Sequence, residues 1–238
     1  MTLFAEHWAF LSLGFVIGLA HALEADHLAA VATMTTGKIS RRNLILRGAF
    51  WGIGHTASLF IICAGVVALG LTITGRAEAA LELGVGVMII TLGLRVLWKM
   101  HRERIHVHIH AHAGETHFHL HSHADDPAPH RISAHDHAHK RGLVVTFGIG
   151  LLHGAAGSAG LLVLMIAATD NLVQALTYVA VFGIGSIAGM AALTAIASYP
   201  LAMLERGAQW MKTATTLAIA GLAIWVGGTL AIHSFAGL

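Results

Sequence analysis

The chain has 238 residues, 56% of them hydrophobic and only 11% charged, with a mean hydropathy of +0.72. A soluble domain carries about 25% charged residues, so this chain has too little polar surface to cover a core in water and reads as an integral membrane protein. Aromatics make up 7% while glycine reaches 27 residues, a balance that suits helices packed through small residues and not an aromatic-girdled barrel. A single cysteine, Cys63, excludes a disulfide or Cys-based metal framework, and nucleic acid is not expected as a partner.

Six apolar stretches have the roughly 20 residues a helix needs to cross a hydrocarbon core: 9–34, 43–70, 79–100, 142–168, 173–198 and 212–233. The first is not a cleavable signal, because no Lys or Arg precedes Lys38 and its middle carries ionisable residues. The predicted fold is therefore all-α, a polytopic bundle of six transmembrane helices. Between the third and fourth stretches, 101–141 holds 13 of the 19 His together with Asp125, Asp126, Pro127 and Pro129. That composition predicts a polar, disordered loop. The organisation is then 1–100, a first three-helix unit; 101–141, the His-rich loop; and 142–238, a second three-helix unit.

Thirteen of the 14 Lys and Arg flank one side of these spans, and Arg76 alone lies on the other. The positive-inside rule places both termini outside and the His-rich loop in the cytoplasm of a cell whose plasma (inner) membrane holds the chain. Trp8 at the outer end and Trp98 and Trp210 at inner ends fit interfacial anchoring.

The chain also repeats itself. Gly18-Leu19-Ala20-His21-Ala22 aligns with Gly150-Leu151-Leu152-His153-Gly154, 132 residues on, and Trp51-Gly52-Ile53-Gly54-His55 aligns with Phe182-Gly183-Ile184-Gly185-Ser186, 131 residues on. Two matches at nearly one offset predict a duplicated three-helix unit. Three is odd, so the copies must be inverted in the membrane, as in secondary transporters with a midplane site. The third and sixth spans align poorly. Gly14 and Gly18, Gly150 and Gly154, and Gly185 and Gly189 have the spacing of close helix packing.

The densest chemistry is His21-Ala22-Leu23-Glu24-Ala25-Asp26-His27, four ionisable residues in seven positions of a span. An acidic residue at the bilayer centre costs about 2.5–3.5 kcal/mol on insertion scales, so such groups face a partner, an ion or water. On a continuous helix His21, Glu24 and His27 share a face while Asp26 points elsewhere, unless the helix is locally unwound. The structural alternative is that Asp26 and His27 pair with Arg41 or Arg42 at the cytoplasmic interface. His55 and His153 reach a depth similar to that of His21, so three helices can converge on one metal site. The alternative for either, a hydrogen bond to a backbone carbonyl, weighs more for His153. His7, Glu82 and His233 lie near span ends and read as solvated groups.

In the loop, His106, His108, His110 and His112 alternate, as do His117, His119, His121 and His123, and then His135, His137 and His139. Neutral imidazole is a ligand for Ni, Zn, Cu and Co ions, so the loop is read as a metal-capture segment, against the alternative of an inert low-complexity insert.

At these residues the sequence resembles the nickel/cobalt transporter family, and more closely its six-span, urease-accessory-type permeases. That family's hallmark is a His-Ala-x-Asp-Ala-Asp-His segment in an early helix, matched by His21, Ala22, Ala25, Asp26 and His27; Glu24 replaces its first Asp and lengthens the arm. The resemblance implies that His21, Asp26 and His27 select and pass Ni²⁺ or Co²⁺, with Gly54-His55 as the partner motif on the next helix. The further acidic motifs of eight-span members are missing from the second half.

The expected function is transport of a divalent transition-metal cation, chiefly Ni²⁺, through a site of His21, Glu24, Asp26, His27, His55 and His153. The metal is cargo and not a resident cofactor, the lipid bilayer is a partner, and a nickel metallochaperone or metalloenzyme maturation factor is a further expected partner. No phosphate-binding loop of the Gly-x-x-x-x-Gly-Lys-Ser/Thr type is present, so the chain does not hydrolyse ATP itself. Two competing readings are a membrane-anchored metal buffer or delivery factor for a nickel enzyme such as urease, and an intramembrane hydrolase using Ser158. The first leaves mid-span ionisable residues without a task. The second lacks a mid-span base in the sixth helix, so no enzyme is expected.

Overall fold

The computed structural model describes residues 2–35, 40–69, 74–102, 106–112, 115–121, 135–156, 172–205 and 209–238. Seven helices lie among them: α1 Thr2–His21, α2 Ala25–Met34, α3 Arg41–Leu69, α4 Gly75–Arg102, α5 His135–Ala156, α6 Leu172–Glu205 and α7 Gln209–Phe235. Four of these, α3, α4, α6 and α7, are long and apolar enough to cross a membrane, and α1 with α2, taken together as one bent pair, is a fifth candidate. The expected fourth span is described only as the apolar turns Gly142–Ala156 of α5; 157–171, with Ser158, lie outside the described residues. Large apolar side chains such as Val16, Ile61, Leu94, Val173, Ile196 and Ile232 stand exposed on the outer surface, as helices facing lipid require.

The first span differs from a continuous helix. It stops at His21 and restarts at Ala25, with a 54° bend between the halves. Leu23 N–H donates to Ala20 O at 2.9 Å and Glu24 N–H to His21 O at 3.1 Å, tightening the last turn, and Glu24 then takes an extended backbone as the N-cap of α2. Neither Gly nor Pro marks this break in the sequence. Around it the ionisable residues bond to one another and across the bundle, His21 to Glu24 and Asp26 to His153 of α5.

The His-rich segment also differs from a disordered loop. It carries a two-stranded antiparallel hairpin, β1 His106–His112 and β2 Glu115–His121, with His106 opposite His121, His108 opposite His119 and His110 opposite His117. His-Val-His-Ile-His-Ala-His has the period of two that a strand uses. His135, His137 and His139 belong to the start of α5, since no Pro or Gly interrupts 130–141 ahead of the apolar turns. His123 lies outside the described residues.

Helix α1 packs on α6, α3 packs on both α5 and α6, α4 packs on α7, and α2 lies against α4 and α7. Glycine permits the closest crossings. A Cβ on Gly18 would strike the carbonyl of Phe182, and one on Gly150 would strike the carbonyl of Trp51, so backbone meets backbone at both places. The buried core around these crossings includes Trp51, Met190, Phe182, Leu59 and Cys63.

Candidate metal centre

Four histidines from four helices meet inside the bundle. His21 is the last residue of α1, His27 stands in the first turn of α2, His55 is midway along α3 and His153 is in the last turn of α5. His27 and His153 are each 1% exposed, His55 0% and His21 6%. Ring centroids lie 4.6 Å apart for His21 and His27, 5.0 Å for His21 and His55, 4.1 Å for His27 and His153, and 6.3 Å for His55 and His153. The break in the first span makes this gathering possible, because it swings α2 so that Asp26 enters the cluster together with His27. A helix continuous through His21 would keep Asp26 off the face that His21 and His27 share.

The carboxylates fix how the rings present their nitrogens. His21 Nδ1 is 2.7 Å from Glu24 Oε1, His27 Nδ1 is 2.9 Å from Asp26 Oδ1, and His153 Nε2 is 2.8 Å from Asp26 Oδ2. Asp26 Oδ1 also accepts the backbone N–H of His27 at 2.8 Å. An ionised carboxylate only accepts, so each of these ring nitrogens carries the proton and donates it. In the neutral ring the opposite nitrogen then carries a lone pair: His21 Nε2, His27 Nε2 and His153 Nδ1. All three are buried without a hydrogen-bond partner, as are both nitrogens of His55.

Leaving one buried polar atom unpaired costs about 1–3 kcal/mol, and native interiors avoid it. Several such atoms together mark a place for an electron-pair acceptor. His21, His27 and His55 have ligand atoms within 4.8 Å of one another, and so do Asp26, His27 and His153. The first triad offers free lone pairs; in the second, the Asp26 oxygens are already engaged by imidazole N–H groups. Asp26 and Glu24 thus accept from the rings on the side away from their unpaired nitrogens, the arrangement that carboxylates take around metal-bound imidazole. Neither contacts Arg41 or Arg42: Asp26 bonds to His27 and His153, and Arg41 lies over the Tyr199 ring with its guanidinium 4.3 Å from the centroid. Glu24 lies at the edge, with its side chain 56% exposed.

Around the imidazoles the walls are aromatic. Trp51 is fully buried, stacked on His27 at 5.3 Å and 5.6 Å from His153, and Phe182 lies 5.5 Å from His21. Trp51 precedes His55 by one helical turn, a spacing that places both on one face, and this was the available sequence signal for it. The negative end of the α1 dipole falls at His21, where it favours a cation. His233 is exposed, as expected, whereas Glu82 is not a freely solvated group: it is half-buried and accepts a hydrogen bond from Ser234 at 3.0 Å between α4 and α7. His7 and the histidines of β1, β2 and the start of α5 are described by their backbone alone.

A buried set of imidazoles bonded to carboxylates, inside a bundle of helices long and apolar enough to cross a membrane, fits an integral membrane transporter of a transition-metal cation. The family described as NicO, high-affinity nickel-transport protein, matches residues 7–236, and the chain belongs to it. It is also 30% identical over 211 residues to the urease accessory protein UreH of Bacillus sp. (strain TB-90), a match that covers 82% of this chain and 79% of that protein. No solved structure matches the chain. Ni²⁺ is accordingly the transported substrate.

Proposed function

We propose that Ni²⁺ crosses the membrane through the three-imidazole site of His21, His27 and His55, with Asp26 and Glu24 orienting two of the rings and His153 held behind Asp26. The observation that carries this reading is that three buried histidines, each with an unpaired ring nitrogen, have ligand atoms within 4.8 Å of one another. Neutral imidazoles hold Ni²⁺ without the added charge of a thiolate or direct carboxylate, and a conducting site must bind firmly enough to load and weakly enough to release. Co²⁺ has the same taste for imidazole and is a second cargo of the same site.

Two inverted three-helix repeats, 1–100 and 142–238, frame this path. The packing supports that reading residue by residue. Gly18 abuts the Phe182 carbonyl and the Ser186 amide, while Gly150 abuts the Trp51 carbonyl and the His55 amide. Gly54 abuts the Phe147 carbonyl and Leu151 amide, while Gly185 abuts the Phe15 carbonyl and Leu19 amide. Each pair maps onto the other at the offsets of 132 and 131 read from the sequence. In α4 and α7, Gly86 and Gly227 face each other's backbone in the same reciprocal way.

Both termini lie outside and the His-rich segment lies in the cytoplasm, on the charge distribution given above. There the hairpin histidines His106, His108, His110, His112, His117, His119 and His121, with His123, His135, His137 and His139, gather metal beside the inner end of the path. The relative's description as a urease accessory protein supports a maturation factor or metallochaperone of a nickel enzyme as the cytoplasmic partner. The test is radioactive Ni²⁺ flux, followed in both directions, in proteoliposomes. His21→Ala and His55→Ala should each abolish flux from a correctly inserted protein, and Asp26→Asn should lower it about 10–100-fold; normal flux in all three would overturn the site.

A further inference from the structure

Ser186 is fully buried in α6, and its hydroxyl has no hydrogen-bond partner. Every other buried Ser or Thr hydroxyl among the described residues donates to a carbonyl of its own helix or its capping turn: Thr33, Thr35, Ser58, Thr146, Thr194, Ser198 and Ser234 do so at 2.5–3.0 Å. Such back-bonding is the default of a hydroxyl in an apolar helix. Ser186 forgoes it.

Its position explains what it faces instead. The Ser186 amide lies at Gly18, one turn before His21, just as the His55 amide lies at Gly150, one turn before His153. Ser186 is therefore placed against α1 as His55 is placed against α5. One turn earlier on α6, Phe182 packs its ring on that of His21, and the neighbouring Ile187 lies against Gly52 of α3, one turn before His55. A hydroxyl at this crossing stands at the level of His21 and His55.

We propose that Ser186 supplies a fourth, oxygen donor to the cation held by His21, His27 and His55, and that this hydroxyl biases the site towards Ni²⁺ over Zn²⁺. The inference rests on the three-imidazole reading above. Three histidines with one water are the tetrahedral arrangement that suits Zn²⁺. A further protein oxygen raises the number of donors and mixes N with O, which favours the higher-coordinate, tetragonal environments of Ni²⁺. The donor comes from the second half of the chain, so a bound cation ties α6 to α1, α2 and α3.

The test compares full-length wild type, Ser186→Ala, Ser186→Cys and His21→Ala in detergent, with the loop histidines common to all. Two quantities are read: the helical melting point with and without Ni²⁺ or Zn²⁺, and Ni²⁺ against Zn²⁺ competition in proteoliposomes. Ser186→Ala without metal should melt at or above the wild-type temperature, because an unpaired buried hydroxyl has been removed. It should need about tenfold more Ni²⁺ for the same stabilisation, the lower end of what removing a group around a metal costs, with little change for Zn²⁺. Ser186→Cys should keep metal binding and move preference towards Zn²⁺, which thiolate favours. An unchanged Ni²⁺ response and unchanged Ni²⁺ over Zn²⁺ preference in Ser186→Ala would overturn the proposal, as would a lowered melting point of its metal-free form. If His21→Ala loses the Ni²⁺ response while Ser186→Ala keeps it, the role of Ser186 alone falls; if both keep it, the three-imidazole site falls with it.

Discussion

Asp26 joins His153 of α5 to His27 of α2, accepting from His153 Nε2 at 2.8 Å and from His27 Nδ1 at 2.9 Å. One carboxylate thereby sets the tautomer of two rings on two helices, and it does so from behind the ligand nitrogens.

Asp26→Asn should therefore weaken Ni²⁺ binding without removing a ligand. The amide keeps one acceptor and gains a donor, so it cannot receive both imidazole N–H groups. Loss of an orienting partner at a metal site costs about 10–100-fold in affinity or activity. Equilibrium Ni²⁺ binding to the purified variant, with helical content as the control for folding, checks this.

The four histidines should not be equivalent. His21, His27 and His55 have ligand atoms within 4.8 Å of one another, whereas His153 is grouped only with His27 and with Asp26, to which its Nε2 is bonded. Ni²⁺ flux should be abolished by His55→Ala and reduced about tenfold by His153→Ala, the lower end of the same range. Equal and complete loss at both positions would place His153 in the ligand set.

Glycine substitutions should separate by what a Cβ meets. Gly18→Ala and Gly150→Ala drive a methyl into a backbone carbonyl, whereas at Gly221 and Gly228 nothing lies within 4 Å. Overpacking costs about 1–3 kcal/mol. The first two variants should melt at lower temperature in detergent, and Gly228→Ala should not.

Metal capture by the His-rich segment should follow imidazole protonation. With an unperturbed pKa of about 6.5, its rings are neutral above that pH and cationic below it, and only the neutral form ligates. The protein lacking residues 103–134 should still transport Ni²⁺ from pH 5.5 to 7.5. The loop's contribution, read as the difference in Ni²⁺ bound with and without the segment, should be present at pH 7.5 and largely lost at pH 5.5. Loss of all transport on deletion would make the segment part of the path.

A cysteine at Ser122, with Cys63 replaced, should resist an impermeant maleimide in intact cells, and one at Thr2 should react. The reverse pattern would turn the chain over in the membrane.

Much of the candidate site was legible in the sequence because burial of ionisable groups in lipid is costly: His21, Asp26, His27, His55 and His153 all stand mid-span, and the structure brings them together. The roles of Glu24 and Asp26 were not. Whether a carboxylate ligates or orients depends on which imidazole nitrogen it touches, and that is decided by the break at Ala22–Glu24, which no Gly or Pro signals. The hairpin was hidden by composition: the alternation has the period of two of a strand, but a polar, His-dense segment with two prolines has the composition of a loop. Ser186 appeared only as the counterpart of His55, since a lone serine in an apolar helix normally bonds its own backbone.

The central claim is that Ni²⁺ within the membrane is bound by His21, His27 and His55. X-ray absorption at the nickel edge, on protein lacking residues 103–134 and loaded with one equivalent of Ni²⁺, tests it most directly. The account predicts three imidazoles around the metal, and two after His55→Ala in whatever fraction remains bound. A shell of carboxylate and water without imidazole, or one unchanged by His55→Ala, would contradict it.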